Sequence, residues 1–118
     1  MKGMLDEILH ISKDQVLIRE GEASKDMYWL KKGSMSVRKR SPTDDEIYPI
    51  RVIHEGEIFG ELAFVDNQPR CATIVALESC EVLRLDYHKF KEMLSDEPKW
   101  IRAVMVAMAH KLRETSQI

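Results

Sequence analysis

The sequence predicts a mainly β fold, a jelly-roll β roll (double-stranded β-helix), with a short helix set into it and further helices at its C-terminal end. Two observations carry this. Over residues 14–85, short runs rich in Val, Ile and Leu recur between glycine turns. From residue 86 onward the apolar period lengthens from about two to about 3.6.

The elements follow in order. Residues 15–19 form a strand that runs into a turn at Gly21, and residues 27–30 form another that ends at Gly33. Met35, Val37 and Lys39 share one face of the next strand, with Ser34, Ser36 and Arg38 on the other. Residues 41–45 (Ser-Pro-Thr-Asp-Asp) are a polar loop with turn chemistry. Residues 47–53 are strand-like, but Pro49 lacks the N–H a central strand needs and places them at a sheet edge. After a turn at Gly56, residues 72–76 and 80–85 complete the strands. Asp86 is placed to cap a helix over residues 87–94, with Phe90, Met93 and Leu94 on its apolar side. Pro98 opens a second helix over residues 100–115. Its stripe of Ile101, Val104, Met105, Met108 and Leu112 fits packing on the β core. Ala103, Val106, Ala107 and Ala109 make the other faces apolar too, which fits a second partner, a copy of the same helix. Ahead of the strands, only residues 4–10 offer a helix, with Leu5, Ile8 and Leu9 facing inward.

The 118 residues suit one domain with one core. A formal net charge of -2, with basic residues scattered, points to neither nucleic acid nor an acidic membrane surface. Asp6 and Glu7 interrupt the apolar residues of the first ten, so no signal-peptide core is present. No apolar run approaches the roughly 20 residues of a spanning helix. Cys71 and Cys80 have no metal-ligand spacing, and free thiols in a cytoplasmic protein are expected. His10, His54, His88 and His110 are far apart and form no His-x-His pair, so no metal centre is expected. Neither cysteine has a nearby histidine to activate it, so no catalytic residue is assigned.

The chemistry concentrates in residues 58–73. Gly60 allows close backbone approach. A helix starting near Glu61 offers unpaired N–H groups, a seat for phosphate. Arg70 adds a planar fork of donors. Glu61 beside a phosphate makes sense if the ligand also carries a hydroxyl, and phosphate plus hydroxyl describes a ribose phosphate. On spacing alone, a surface Glu–Arg ion pair is the commoner reading.

Gly60-Glu61-Leu62-Ala63 followed by Pro69-Arg70-Cys71-Ala72-Thr73 resembles the phosphate-binding cassette of the cyclic-nucleotide-binding domain family. Glu61 and Arg70 stand nine positions apart, which resembles the version in the regulatory subunits of cAMP-dependent protein kinase. From Arg70 to Ser116 the chain resembles the bacterial cAMP-activated transcription factors. The resemblance implies a sensor with a 14–85 β roll, a 58–73 cassette and 86–118 C-terminal helices. It implies that Arg70 pairs with the cyclic phosphate and that Glu61 accepts from the ribose 2′-hydroxyl. The backbone of Gly60, Leu62, Ala63 and Cys71 is expected to support the ribose phosphate. Thr115 of the same subunit and Ser116 of a dimer partner are expected at adenine. Lys111 is expected to face Glu61 or solvent. Cys71 stands where a threonine is associated with cGMP preference, and a thiol is a weak donor, so cAMP is expected ahead of cGMP. With the sequence ending at Ile118, no helix-turn-helix follows and no DNA reader is expected in this chain. A homodimer through the last helix is expected, and no cofactor beyond the nucleotide. The alternative is an interaction domain that keeps the fold and binds another ligand or none.

Overall fold

The computed structural model describes residues 7–93 and 99–115. Eight strands are present: β1 (Glu7–Ile11), β2 (Val16–Ile18), β3 (Met27–Lys32), β4 (Met35–Arg40), β5 (Ile47–Ile53), β6 (Ile58–Phe59), β7 (Thr73–Ala76) and β8 (Cys80–Leu85). Three helices accompany them: α1 (Glu61–Asp66), α2 (Tyr87–Met93) and α3 (Lys99–Thr115). The strands form two four-stranded sheets, ordered β1-β8-β3-β6 and β2-β7-β4-β5, with every pairing antiparallel. Apart from the consecutive pair β4–β5, neighbouring strands are distant in sequence, as in a jelly roll.

The alternation of apolar and polar residues sets which side chains turn inward. Leu30, Met35, Val37, Ile53 and Val82 are fully buried between the sheets, and Ile18 and Phe59 nearly so. Each such side chain contributes about 1.5–3 kcal/mol by leaving water. Tyr28 stacks on Phe59 with ring centres 5.4 Å apart, locking β3 to β6 just before α1. A second cluster of Phe64, Leu85 and Tyr87 ties α1 to the start of α2, with Phe64 meeting Tyr87 edge-on at 5.7 Å. Asp86 caps α2 as expected, its carboxylate accepting from the Lys89 N–H at 3.1 Å.

β5 is an edge strand, as Pro49 requires. Pro49 sits where the β4–β5 register shifts between Val37 and Arg38, a bulge that spares the missing N–H. The helix expected over residues 4–10 is not what forms. Glu7–Ile11 is strand β1, paired with β8 from Glu7↔Arg84 to Ile11↔Cys80; residues 4–6 lie outside the described residues. Leu9 and Ile11 turn to the core with a period of two, while Ile8 is largely exposed. β8 would otherwise be an open edge, and pairing its N–H and C=O groups outweighs the helical spacing of Leu5, Ile8 and Leu9. The sheets therefore begin at Glu7, ahead of the boundary expected at residue 14. α3 also departs from expectation. It packs on α1, not across the β core, burying Ala109 and leaving Trp100, Val104 and Met108 exposed.

The β3–β4 turn depends on Gly33, whose φ is +102°. A Cβ there would lie 2.6 Å from the Cys80 sulfur and 2.8 Å from the Ser79 carbonyl oxygen. Gly33→Ala is expected to cost about 1–3 kcal/mol through overpacking and backbone strain. A urea melt with an unchanged midpoint would contradict this tight packing.

Candidate functional site

β6 delivers the chain to Gly60, which adopts the left-handed conformation (φ 79°, ψ 7°) and starts α1. No side chain caps this helix start, so its first N–H groups are available. Asn67, also left-handed, ends the helix, its N–H donating to the Ala63 carbonyl. The chain then turns back along the end of β2. There the Arg70 N–H donates to Glu22 O and the Gly21 N–H donates to Arg70 O, both at 2.8 Å.

This backbone clamp drives the Arg70 side chain inward, where only 4% of the residue is exposed. Its Nε donates to Ser24 Oγ at 3.1 Å, its Nη1 to Gly60 O at 2.9 Å and its Nη2 to Asp26 O at 2.6 Å. All three acceptors are neutral, a hydroxyl and two carbonyls. A guanidinium has five N–H donors, so donors remain for a ligand. Burial pulls Arg70 below the usual arginine value, against the opposing charges of Tyr28, Asp26 and Glu22. Arginine nevertheless stays protonated in a protein. The result is a buried cation without a carboxylate in contact, held in a fixed orientation. Gly60 is needed here for a reason beyond its φ. A Cβ on it would meet Arg70 Nη1 at 2.9 Å and Asp26 O at 3.2 Å.

Beside Arg70 lies a cavity of about 40 Å³. A water needs about 10–15 Å³ on this scale, so the space suits a small group and not a whole nucleotide. Gly60, Glu61, Leu62, Ala63, Arg70 and Cys71, all expected at the site, line it together. Ile18, Ala72 and Ile74 add an apolar wall, and Arg113 reaches it from α3. Lys111 does not line this cavity. It is exposed on α3 and borders a separate groove with Arg102, Val106 and His110. Thr115 ends α3, but its side chain and the whole of Ser116 lie outside the described residues.

Four contributors were not evident from the sequence: Ser24, Asp26, Asp66 and Arg113. Asp26 is a junction. Its carbonyl accepts from Arg70, while its carboxylate accepts from the Tyr87 N–H at 2.9 Å and from Arg84 Nη1 at 3.2 Å. It thereby links the buried arginine to the start of α2. Asp66 has a fully buried side chain that accepts from Gln68 N–H at 3.1 Å, from Arg113 Nη2 at 3.2 Å and, more closely, from Arg113 Nε. Burial alone depresses the Arg113 guanidinium, but the hydrogen bond and charge of Asp66 outweigh it and hold it above the usual arginine value. Their separation of 47 positions left no local signal.

Among the described residues no group of His, Cys, Asp or Glu side chains is placed to hold a metal ion. No described helix is long and apolar enough to cross a membrane.

Comparison with known proteins agrees with this geometry. The chain is 30% identical to the cAMP-activated global transcriptional regulator CRP of Escherichia coli, over 92% of this chain and 53% of that protein. It thus spans about half the length of that relative. Among solved structures it is similar to the EAL enzyme Bd1971 in its cAMP-bound form, with a TM-score of 0.79 and 32% identity, over 92% of this chain and 29% of the enzyme chain. The cGMP-bound form of the same enzyme matches with a TM-score of 0.75 and 33% identity, over 91% of this chain and 28% of the enzyme chain. The family profile described as the cyclic nucleotide-binding domain matches residues 8–97. With that profile covering most of the chain and the relative from Escherichia coli 30% identical to it, this chain belongs to the cyclic nucleotide-binding domain family.

Proposed function

We propose that the chain is a cAMP sensor module, residues 1–118, that binds cGMP more weakly and performs no catalysis. The observation that carries this reading is Arg70, a buried and pre-aimed cation with no carboxylate in contact. Burying a charge without an ionic partner is costly, and an anionic ligand supplies the missing partner. Prior fixing of the guanidinium also removes part of the ordering cost of binding. In this reading Arg70 takes the cyclic phosphate and Glu61 accepts from the ribose 2′-hydroxyl. The backbone of Gly60, Leu62, Ala63 and Cys71 supports the ribose phosphate, and the base lies at the mouth. Thr115 and a partner's Ser116 are proposed at adenine. The thiol of Cys71 is a poor donor to guanine, which favours cAMP.

The output is regulatory, and no metal or further cofactor is invoked. A cytoplasmic location fits a cyclic nucleotide ligand. We place a homodimer on the exposed side of α3, where Trp100, Val104 and Met108 recur every four residues. Neither DNA nor a membrane is a proposed partner of this segment.

Titration calorimetry with cAMP tests the reading. Wild type is expected to bind cAMP more tightly than cGMP. Arg70→Ala is expected to lose at least about 1.5–3 kcal/mol, as for a hydrogen bond to a charged group. A folded wild type that gives no heat would sink the proposal, and equal binding by Arg70→Ala would place the phosphate elsewhere. Glu61→Ala is expected to weaken cAMP far more than its 2′-deoxy analogue; equal losses would make Glu61 purely structural. Sedimentation over a concentration series, with and without cAMP, is expected to show dimers. A monomer throughout would refute the α3 interface.

A further inference from the structure

A second concave surface lies on the outer face of the sheet β2-β7-β4-β5 and shares no lining residue with the cassette cavity. Val37 and Ile74 belong to the cluster between the sheets, so strand alternation turns their neighbours Arg38, Thr73 and Val75 to the opposite face. There Val16 stands opposite Val75, and Arg40 stands opposite Ile47. With Arg19, just past β2, these side chains bound a groove of about 640 Å³, against about 40 Å³ for the cassette cavity.

The charges of this groove are unbalanced. Three arginines and a single glutamate, Glu20, line it, in a chain whose net charge is -2. Glu20 is already engaged, since its Oε1 accepts from the Arg40 N–H at 2.9 Å. Arg38 is half-buried, and its Nε donates to the neutral Ser36 hydroxyl at 3.2 Å. Among the described residues, no carboxylate stands within ion-pair distance of Arg19 or Arg38. Arg40 pairs with Asp45, but both side chains are more than half exposed, so a competing carboxylate can replace Asp45. Valine and isoleucine beside the arginines strengthen a charge-assisted hydrogen bond by lowering the local dielectric. Spacing narrows the occupant further. Arg38 and Arg40 alternate on β4, about 7 Å apart along the strand. Carboxylates at alternate positions of an extended peptide stand at the same interval, and each guanidinium can donate to both oxygens of one.

We propose that this groove docks an extended acidic segment of a partner protein. Its alternate carboxylates pair with Arg38 and Arg40, Arg19 flanks them, and an aliphatic side chain rests on Val16, Ile47 and Val75. Charge complementarity favours this occupant over a broad polyanion. The chain as a whole is acidic, and exposed Asp44, Asp45 and Glu46 stand just before Ile47, where a membrane surface or a nucleic acid would be repelled.

The probe is a blocked peptide of three Glu-Val repeats, titrated into the full chain by NMR, with and without cAMP. Shifts are expected at the amides of β2, β4, β5 and β7 and at the Arg38 side chain, in both states, because the groove is separate from the cassette. A peptide of Gln-Val repeats is expected to leave these signals unmoved. The variant carrying both Arg19→Gln and Arg38→Gln is expected to bind the acidic peptide at least about tenfold more weakly, as for a lost hydrogen bond to a charged group. If that variant does not fold, Arg19→Gln alone, at an exposed position, decides by the same weakening. No groove shifts at millimolar peptide, equal binding of the glutamine peptide, or undiminished binding by the folded variant overturns the proposal. Equal binding of a peptide with its glutamates and valines in separate blocks also overturns it, since the spacing then plays no part. Phosphatidylserine vesicles or a DNA duplex that bind in place of the peptide, and are lost in the same variant, assign the patch to a broad polyanion and overturn the peptide reading.

Discussion

The structure is organised around one buried positive charge. Arg70 is almost inaccessible to water, yet every acceptor it touches is neutral. Such a group is tolerated only if fixed dipoles surround it, and here two separate segments supply them. Ser24, through its hydroxyl, and Asp26, through its carbonyl, come from the loop before β3, and the Gly60 carbonyl comes from the turn into α1. The stack of Tyr28 on Phe59 ties these two segments together. The Gly21–Glu22 clamp fixes the arginine's own backbone. Gly60 is therefore required by a side chain in another part of the sequence as much as by its own dihedral angles.

The contrast with Arg113 explains the division of labour. Both guanidiniums line the same cavity. Arg113 is matched by a buried carboxylate, whereas Arg70 meets only a hydroxyl and two carbonyls. Ile18, Ala72 and Ile74 lower the local dielectric at the cavity wall, where a charge-assisted hydrogen bond is stronger than in water. The helix α1 that opens the cavity is also the surface on which α3 rests.

The parts of this arrangement that are local were legible in the sequence. Glycine turns, the alternation in β4, the edge character announced by Pro49 and the Asp86 cap each depend on neighbours a few residues away. The cavity-lining set from Gly60 to Cys71 is contiguous enough to carry a family signature. What stayed hidden depends on long-range pairing. Ile8 and Leu9 have helical spacing with Leu5, and only the open edge of β8 turns their segment into a strand. Asp66 and Arg113 are ordinary residue types in ordinary places until α1 and α3 meet. Ser24 and Asp26 act on Arg70 from more than 40 positions away, and Asp26 does so through its carbonyl, which no side-chain pattern reveals. The α3 stripe was legible as apolar, but not which face would meet α1.

The central claim is that Arg70 is the cation that receives the ligand's phosphate. Its most direct test is side-chain nitrogen NMR of the arginines during a cAMP titration, with Arg70 assigned by substitution. The account predicts that the Arg70 guanidinium resonances shift and exchange more slowly as the nucleotide saturates. Arg70 signals that stay unmoved at saturation, while other residues respond, would contradict it.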